Sequence, residues 1–118
     1  MTAKEVLKLW IDAFNKADIG KLINLYQENA VNHQVANKPV AGKAAIKKMF
    51  EAEFANAEMV CQPINIFEDG DWAIMEWQDP KGFRGCGFFQ IKDDKIVLQR
   101  GYWDKLSFHK LYKIPLQT

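Results

Sequence analysis

Two side chains in this chain could move a proton. His33 has an ordinary pKa near 6.5, which suits a general base at neutral pH, and it lies just ahead of the loop Asn37-Lys38-Pro39. Asp104 closes the run Tyr102-Trp103-Asp104. A carboxylate desolvated between aromatic rings holds its proton more tightly, which suits proton shuttling. Each also has a plainer role. His33 can be a half-exposed strand residue, and Asp104 can cap a following turn through the N–H of Leu106 or Ser107. Glu76 sits between Met75 and Trp77; alternation puts it on a strand's outer face, where Arg84 and Arg100 are expected to pair with it.

Other chemistries fail on spacing. Gly85-Cys86-Gly87 falls inside a strand and lacks the strand-turn-helix frame of a phosphate loop. His33 and His109 have no partners at metal-ligand spacing, so no metal is expected, nor any other cofactor. Cys86 reads as a small packed hydrophobe. Ser107 lacks the glycine frame of a nucleophile elbow.

The elements that must position these groups follow from periodicity. Thr2 and Glu5 form a capping-box pair ahead of Val6, Leu7, Trp10, Ile11 and Phe14, which recur at helical spacing. Asp18 caps a shorter helix with Ile19, Leu22, Ile23 and Tyr26 inward. Ala30 to Gln34 reads as a short strand, and Gly42 precedes a third helix carrying Ala45, Ile46, Met49, Phe50 and Phe54. From Met59 the period becomes two. Pro63 cannot donate to a ladder, so its strand belongs at an edge or carries a bulge. Asp69-Gly70 predicts a type I′ hairpin turn into Trp72–Gln78. Strands over 83–91 and 96–104 follow, then a helical turn near Leu106–Tyr112. The order α-α-β-α-β-β-β-β predicts an α+β domain with its helices on one face of a sheet.

Composition narrows the function. The 118 residues fit one domain, 1–118, of roughly the common 100–150 residue size. A formal net charge of +1 offers no electrostatic pull on nucleic acid or an anionic membrane. The amphipathic N-terminus has no secretory h-region, and no apolar run approaches a membrane span, so a cytoplasmic location is expected. Two Cys do not make a disulfide framework. Four Trp and eight Phe point to a hydrophobic cavity or a large interface.

The chain resembles the nuclear transport factor 2-like superfamily, and within it the SnoaL-like proteins. Three segments carry the resemblance: Phe14-Asn15-Lys16-Ala17-Asp18 at the first helix exit, Pro39-Val40-Ala41-Gly42-Lys43-Ala44-Ala45-Ile46 at the third helix entry, and Asp94-Lys95-Ile96-Val97 followed by Tyr102-Trp103-Asp104. It implies a cone: a curved mixed sheet wrapped around three N-terminal helices, with a hydrophobic pocket at the wide end. Ketosteroid isomerases of that superfamily carry their catalytic Asp at about the position of His33. Their oxyanion-hole Tyr falls on Trp10 and their protonated Asp near Gly87, so that oxyanion hole is missing. SnoaL-like cyclases place an acid/base Asp near Asp104.

The resemblance thus implies a small-molecule pocket lined by Trp10, Phe14, Tyr26, Met49, Phe50, Phe54, Phe89, Tyr102 and Trp103. Catalysis there would be cofactor-free proton abstraction α to a carbonyl, in an isomerase or aldol-type cyclase, with His33 or Asp104 as base. The alternative is a non-catalytic carrier or dimeric interaction module. A homodimer through the outer sheet face is expected in either case. Glycines at 85, 87 and 101 opposite large residues leave either space or close packing.

Overall fold

A computed structural model describes residues 1–116. Helix α1 (Ala3–Asn15) starts where the sequence places it: Glu5 N–H donates to Thr2 Oγ1 (3.1 Å) and Thr2 N–H donates back to Glu5 Oε1 (2.8 Å). Ala17 at φ 51° breaks the chain direction. Asp18 then accepts from Lys21 N–H to start the one-turn α2 (Ile19–Ile23). Strand β1 (Tyr26–Gln34) is longer than expected. Tyr26, read from spacing as the inner face of the second helix, instead opens β1 and pairs with Ile96. The helix ends at Ile23 because Tyr26 is drawn into a ladder formed some 70 residues away, which local periodicity cannot register.

A two-residue strand β2 (Val40–Ala41) leads through Gly42, at φ 92°, into α3 (Lys43–Asn56). Strands β3 (Gln62–Asp69), β4 (Trp72–Gln78), β5 (Arg84–Lys92) and β6 (Lys95–Tyr102) form a meander, and α4 (Lys105–Tyr112) closes the order. The sheet order is β2-β1-β6-β5-β4-β3. Only β1 and β6 run parallel, so the sheet is mixed, and it is curved and unclosed. β3 lies at an edge, with a register shift between Pro63 and Asn65. Among the described residues no helix is long and apolar enough to cross a membrane.

The turns differ in one respect from expectation. At the β3–β4 hairpin only Gly70 has positive φ, so that turn is not type I′. Both central residues are positive at β5–β6, where Asp93 and Asp94 make the primed turn without glycine.

Strand register sorts the sheet into two faces. Asn32, Gln99 and Phe89 align across β1, β6 and β5, as do Gln34, Gly101 and Gly87. These rows face the helices. His33, Arg100 and Phe88 form the row between them and face outward. The core lies between the inner face and α1 and α3, built on Val6, Leu7, Trp10, Ile46, Phe50, Met75 and Phe89.

Candidate functional site

The interior is packed with rings. Trp10 stacks on Phe14 at 4.8 Å and meets Phe89 edge-on at 5.1 Å. Phe14, Phe50 and Phe54 join them, as does the ring of Tyr26. The glycines are packing sites rather than space. A Cβ on Gly85 would lie 2.5 Å from the Trp77 ring, and one on Gly101 would collide with Gln34 Oε1. The pocket-lining set therefore divides. Trp10, Phe14, Tyr26, Phe50 and Phe89 fill the core, with Met49 and Phe54 packed against it. Trp103 joins a second cluster with Phe83 and Phe108, and Tyr102 is exposed on the outer face against Phe88.

Along this apolar interior runs one connected set of polar groups, buried at Trp10, Tyr26, Asn32 and Gln99 and half-buried at Gln34 and Trp103. Trp10 Nε1 donates to the Tyr26 hydroxyl (2.9 Å), which donates to Gln99 Oε1. From the other side, Trp103 Nε1 donates to Gln34 Oε1 (3.0 Å) and Gln34 Nε2 to Asn32 Oδ1 (2.8 Å). Asn32 Nδ2 then donates to Gln99 Oε1 (3.1 Å). Burying such groups is tolerable only because they satisfy one another. Burial holds the Tyr26 hydroxyl far above its ordinary pKa; the Trp10 N–H opposes this and the Glu53 charge adds to it.

Glu53 lies on the inward side of α3, in the turn after Ile46, Met49 and Phe50. Desolvation pushes its carboxyl up to about 7. A carboxyl raised in this way holds its proton closer to neutral pH than an ordinary carboxylate, as a general acid or base requires. A cleft of about 530 Å³, lined by Asn15–Ala17 and Phe54–Met59, lies at the C-terminal end of the same helix.

The structure places the two expected bases apart from this set. His33 is half-buried on the outward row, and its Nε2 lies 3.2 Å from the Asn37 carbonyl oxygen. Asp104 is exposed and caps α4: Ser107 N–H donates to its Oδ2 at 2.9 Å, and the Ser107 hydroxyl donates to the same oxygen. These bonds from Ser107 lower its pKa, the reverse of the desolvated carboxyl expected between aromatic rings. Glu76 faces outward but accepts from Asn65 Nδ2 (2.9 Å) rather than an arginine, while Arg100 lies over the Trp72 ring at 5.2 Å.

Sequence reasoning passed over Asn32, Gln34, Gln99 and Glu53. A signal existed for the first two: in Ala30-Val31-Asn32-His33-Gln34, alternation puts both amides on the Ala30 face and His33 on the other. Glu53 also falls in helical register with Ile46, Met49 and Phe50.

Known proteins share this architecture. The family model described as a SnoaL-like domain matches residues 7–99. No curated protein matches the chain. Among solved structures, a proposed polyketide cyclase from Xanthomonas campestris superposes with a TM-score of 0.83 at 15% identity, covering 96% of each chain. An LEH-like epoxide hydrolase from M. tuberculosis gives 0.80 at 18% identity, covering 92% of this chain and 87% of its own. SalBIII, an epoxide hydrolase/cyclase-like enzyme of pyran ring formation in the polyether salinomycin, gives 0.77 at 20%, covering 88% and 92%. At these identities the likeness establishes the fold.

Proposed function

The chain belongs to the SnoaL-like domain family, and from that premise we propose that it is a cofactor-free acid–base enzyme acting on a hydrophobic, carbonyl-bearing small molecule, as an isomerase or cyclase. The observation that carries this reading is the placement of Glu53 on the inward side of α3, where burial raises its carboxyl pKa and its charge acts on the Tyr26 hydroxyl of the polar network. The amide and hydroxyl groups would bind and orient the substrate, and Glu53 would take the proton α to its carbonyl. The cleft beside Phe54, the residue that follows Glu53 in α3, is the side from which a ligand would approach in this reading. The relatives whose descriptions name cyclisation or epoxide opening support small-molecule acid–base chemistry on this fold.

A test is α-proton exchange of 2-tetralone in D₂O, followed by proton NMR. Exchange should exceed the buffer rate, and Glu53→Gln should lower the protein-catalysed part about 10²–10⁴-fold. Exchange equal in both proteins refutes Glu53 as base. Saturable binding with no exchange favours the carrier reading, which the wholly neutral composition of the Gln99 network supports.

The outer sheet face is the proposed dimer surface. Phe67 is 59% and Tyr102 43% exposed there, next to half-buried Ile74, Phe88 and Leu98. A stable pair would cover roughly 1,600 Å² in total. Sedimentation as a 13.6 kDa monomer at micromolar concentration refutes the dimer.

A further inference from the structure

Arg100 stands in the middle of the outer sheet face without a partner of its own. Register places it in the row His33-Arg100-Phe88-Ile74-Phe67. Its side chain is half-buried and lies over the Trp72 ring. Among the described residues its guanidinium forms no ion pair, and its Nε is buried with no hydrogen-bond partner. A guanidinium is always charged, and its planar fork of N–H groups matches a carboxylate. Half out of water and unpaired, it carries a desolvation cost that a carboxylate would offset.

The same face supplies a carboxylate. Glu76 is the only acidic residue in strands β4, β5 and β6. It stands at an outward position in the row Tyr102-Cys86-Glu76-Asn65, beside the row that holds Arg100. Asn65 Nδ2 donates to its Oε1. Within one copy β5 lies between Glu76 and Arg100, and no ion pair joins them. Two copies stacked face to face change this. A two-fold axis lying along the sheet plane over β5, midway between the two residues, sets Arg100 against the partner's Glu76. It sets Glu76 against the partner's Arg100 as well, because an isologous contact is made twice. Phe88, Ile74 and Tyr102 surround the two positions and would exclude water from the pairs. A net charge of +1 opposes such self-association little. We infer that the outer sheet face docks a second copy of this chain, and that reciprocal pairs between Arg100 and Glu76 fix the register of the two sheets. The inference rests on the dimer reading above and deepens it by naming the contacts that select the partner.

The test is charge reversal in the full chain, read by sedimentation equilibrium, with folding checked by circular dichroism. Wild type should sediment at twice 13.6 kDa. Arg100→Glu sets carboxylate against carboxylate twice in each pair of copies, and Glu76→Arg sets guanidinium against guanidinium. Each alone should weaken the dimer about 100-fold or more. Mixed in equal amounts, the two variants should pair with each other within about tenfold of wild-type affinity, because every contact then joins unlike charges. A chain carrying both changes should pair with itself for the same reason, and it keeps the test decisive if one single variant fails to fold. Arg84→Glu reverses an exposed charge at the end of β5 and should leave the dimer unchanged. Single variants that stay dimeric overturn the inference. So does a mixture, or a folded double variant, that stays monomeric, and so does dissociation by Arg84→Glu to the same degree, which would make net charge the cause. Each of these leaves the dimer through the outer face standing. A monomeric wild type overturns the dimer reading and this inference with it.

Discussion

Replacing Glu53 by glutamine tests the energetics of the interior directly. The Glu53 carboxyl rises from an ordinary 4.5 to about 7 because burial disfavours its charge. At about 1.4 kcal/mol for each tenfold in proton affinity, the charged form costs the fold up to about 3 kcal/mol. Partial exposure of the side chain makes that an upper value. The sign follows from linkage. Between about pH 4.5 and 7 the folded chain keeps a proton that the unfolded chain has lost, so stability falls as pH rises through that window. Below it both states are protonated and the group contributes nothing. The amide introduced by Glu53→Gln cannot ionise, so the variant should match wild type near pH 4 and exceed it by about 1–3 kcal/mol near pH 9. Urea unfolding of both proteins at the two pH values reads the difference, and the Glu53 ¹³Cδ resonance reads the pKa. A stability difference independent of pH, or titration near 4.5, would falsify the claim that Glu53 is desolvated.

The packing and capping contacts set the other expected outcomes. Gly101→Ala should push Gln34 off Trp103 and Asn32, with a cost of about 1–3 kcal/mol and altered Trp103 indole N–H exchange; an unchanged indole signal would contradict the network. His33→Ala should cost no more than about 1 kcal/mol because His33 lies outside the core; global unfolding would show it to be structural. The Asp104 cap is present above the ordinary carboxylate pKa and lost in acid as pH falls through its lowered value, so α4 helicity measured by amide exchange should fall in acid and in Asp104→Ala. Burial pushes the Cys61 thiol up to about 12, so a thiol reagent should modify the half-exposed Cys86 first and Cys61 only on unfolding; prompt double labelling would refute the buried placement.

The element types were legible locally. Capping at Thr2 and Asp18, the edge position implied by Pro63, and the change of period after Met59 all depend on residues within a few positions of one another. The three resembling segments pointed to the cone-like α+β fold for the same reason. Alternation also carried the inward placement of Asn32 and Gln34, although the titratable His33 between them drew the functional reading. Three things were decided only by tertiary structure. Tyr26 became a strand residue because its partner Ile96 lies on the last strand. Asp104, which the sequence left open between a desolvated acid and a cap, stays solvated because no distant part of the described chain covers it. The glycines became packing sites because Trp77 and Gln34 lie across Gly85 and Gly101. The physical reason is common to all three. A side chain's face is set by its neighbours along the chain, but the space in front of that face is filled by residues far away in sequence. Whether large opposite small means a cavity or a contact is therefore a property of the assembled sheet-and-helix core.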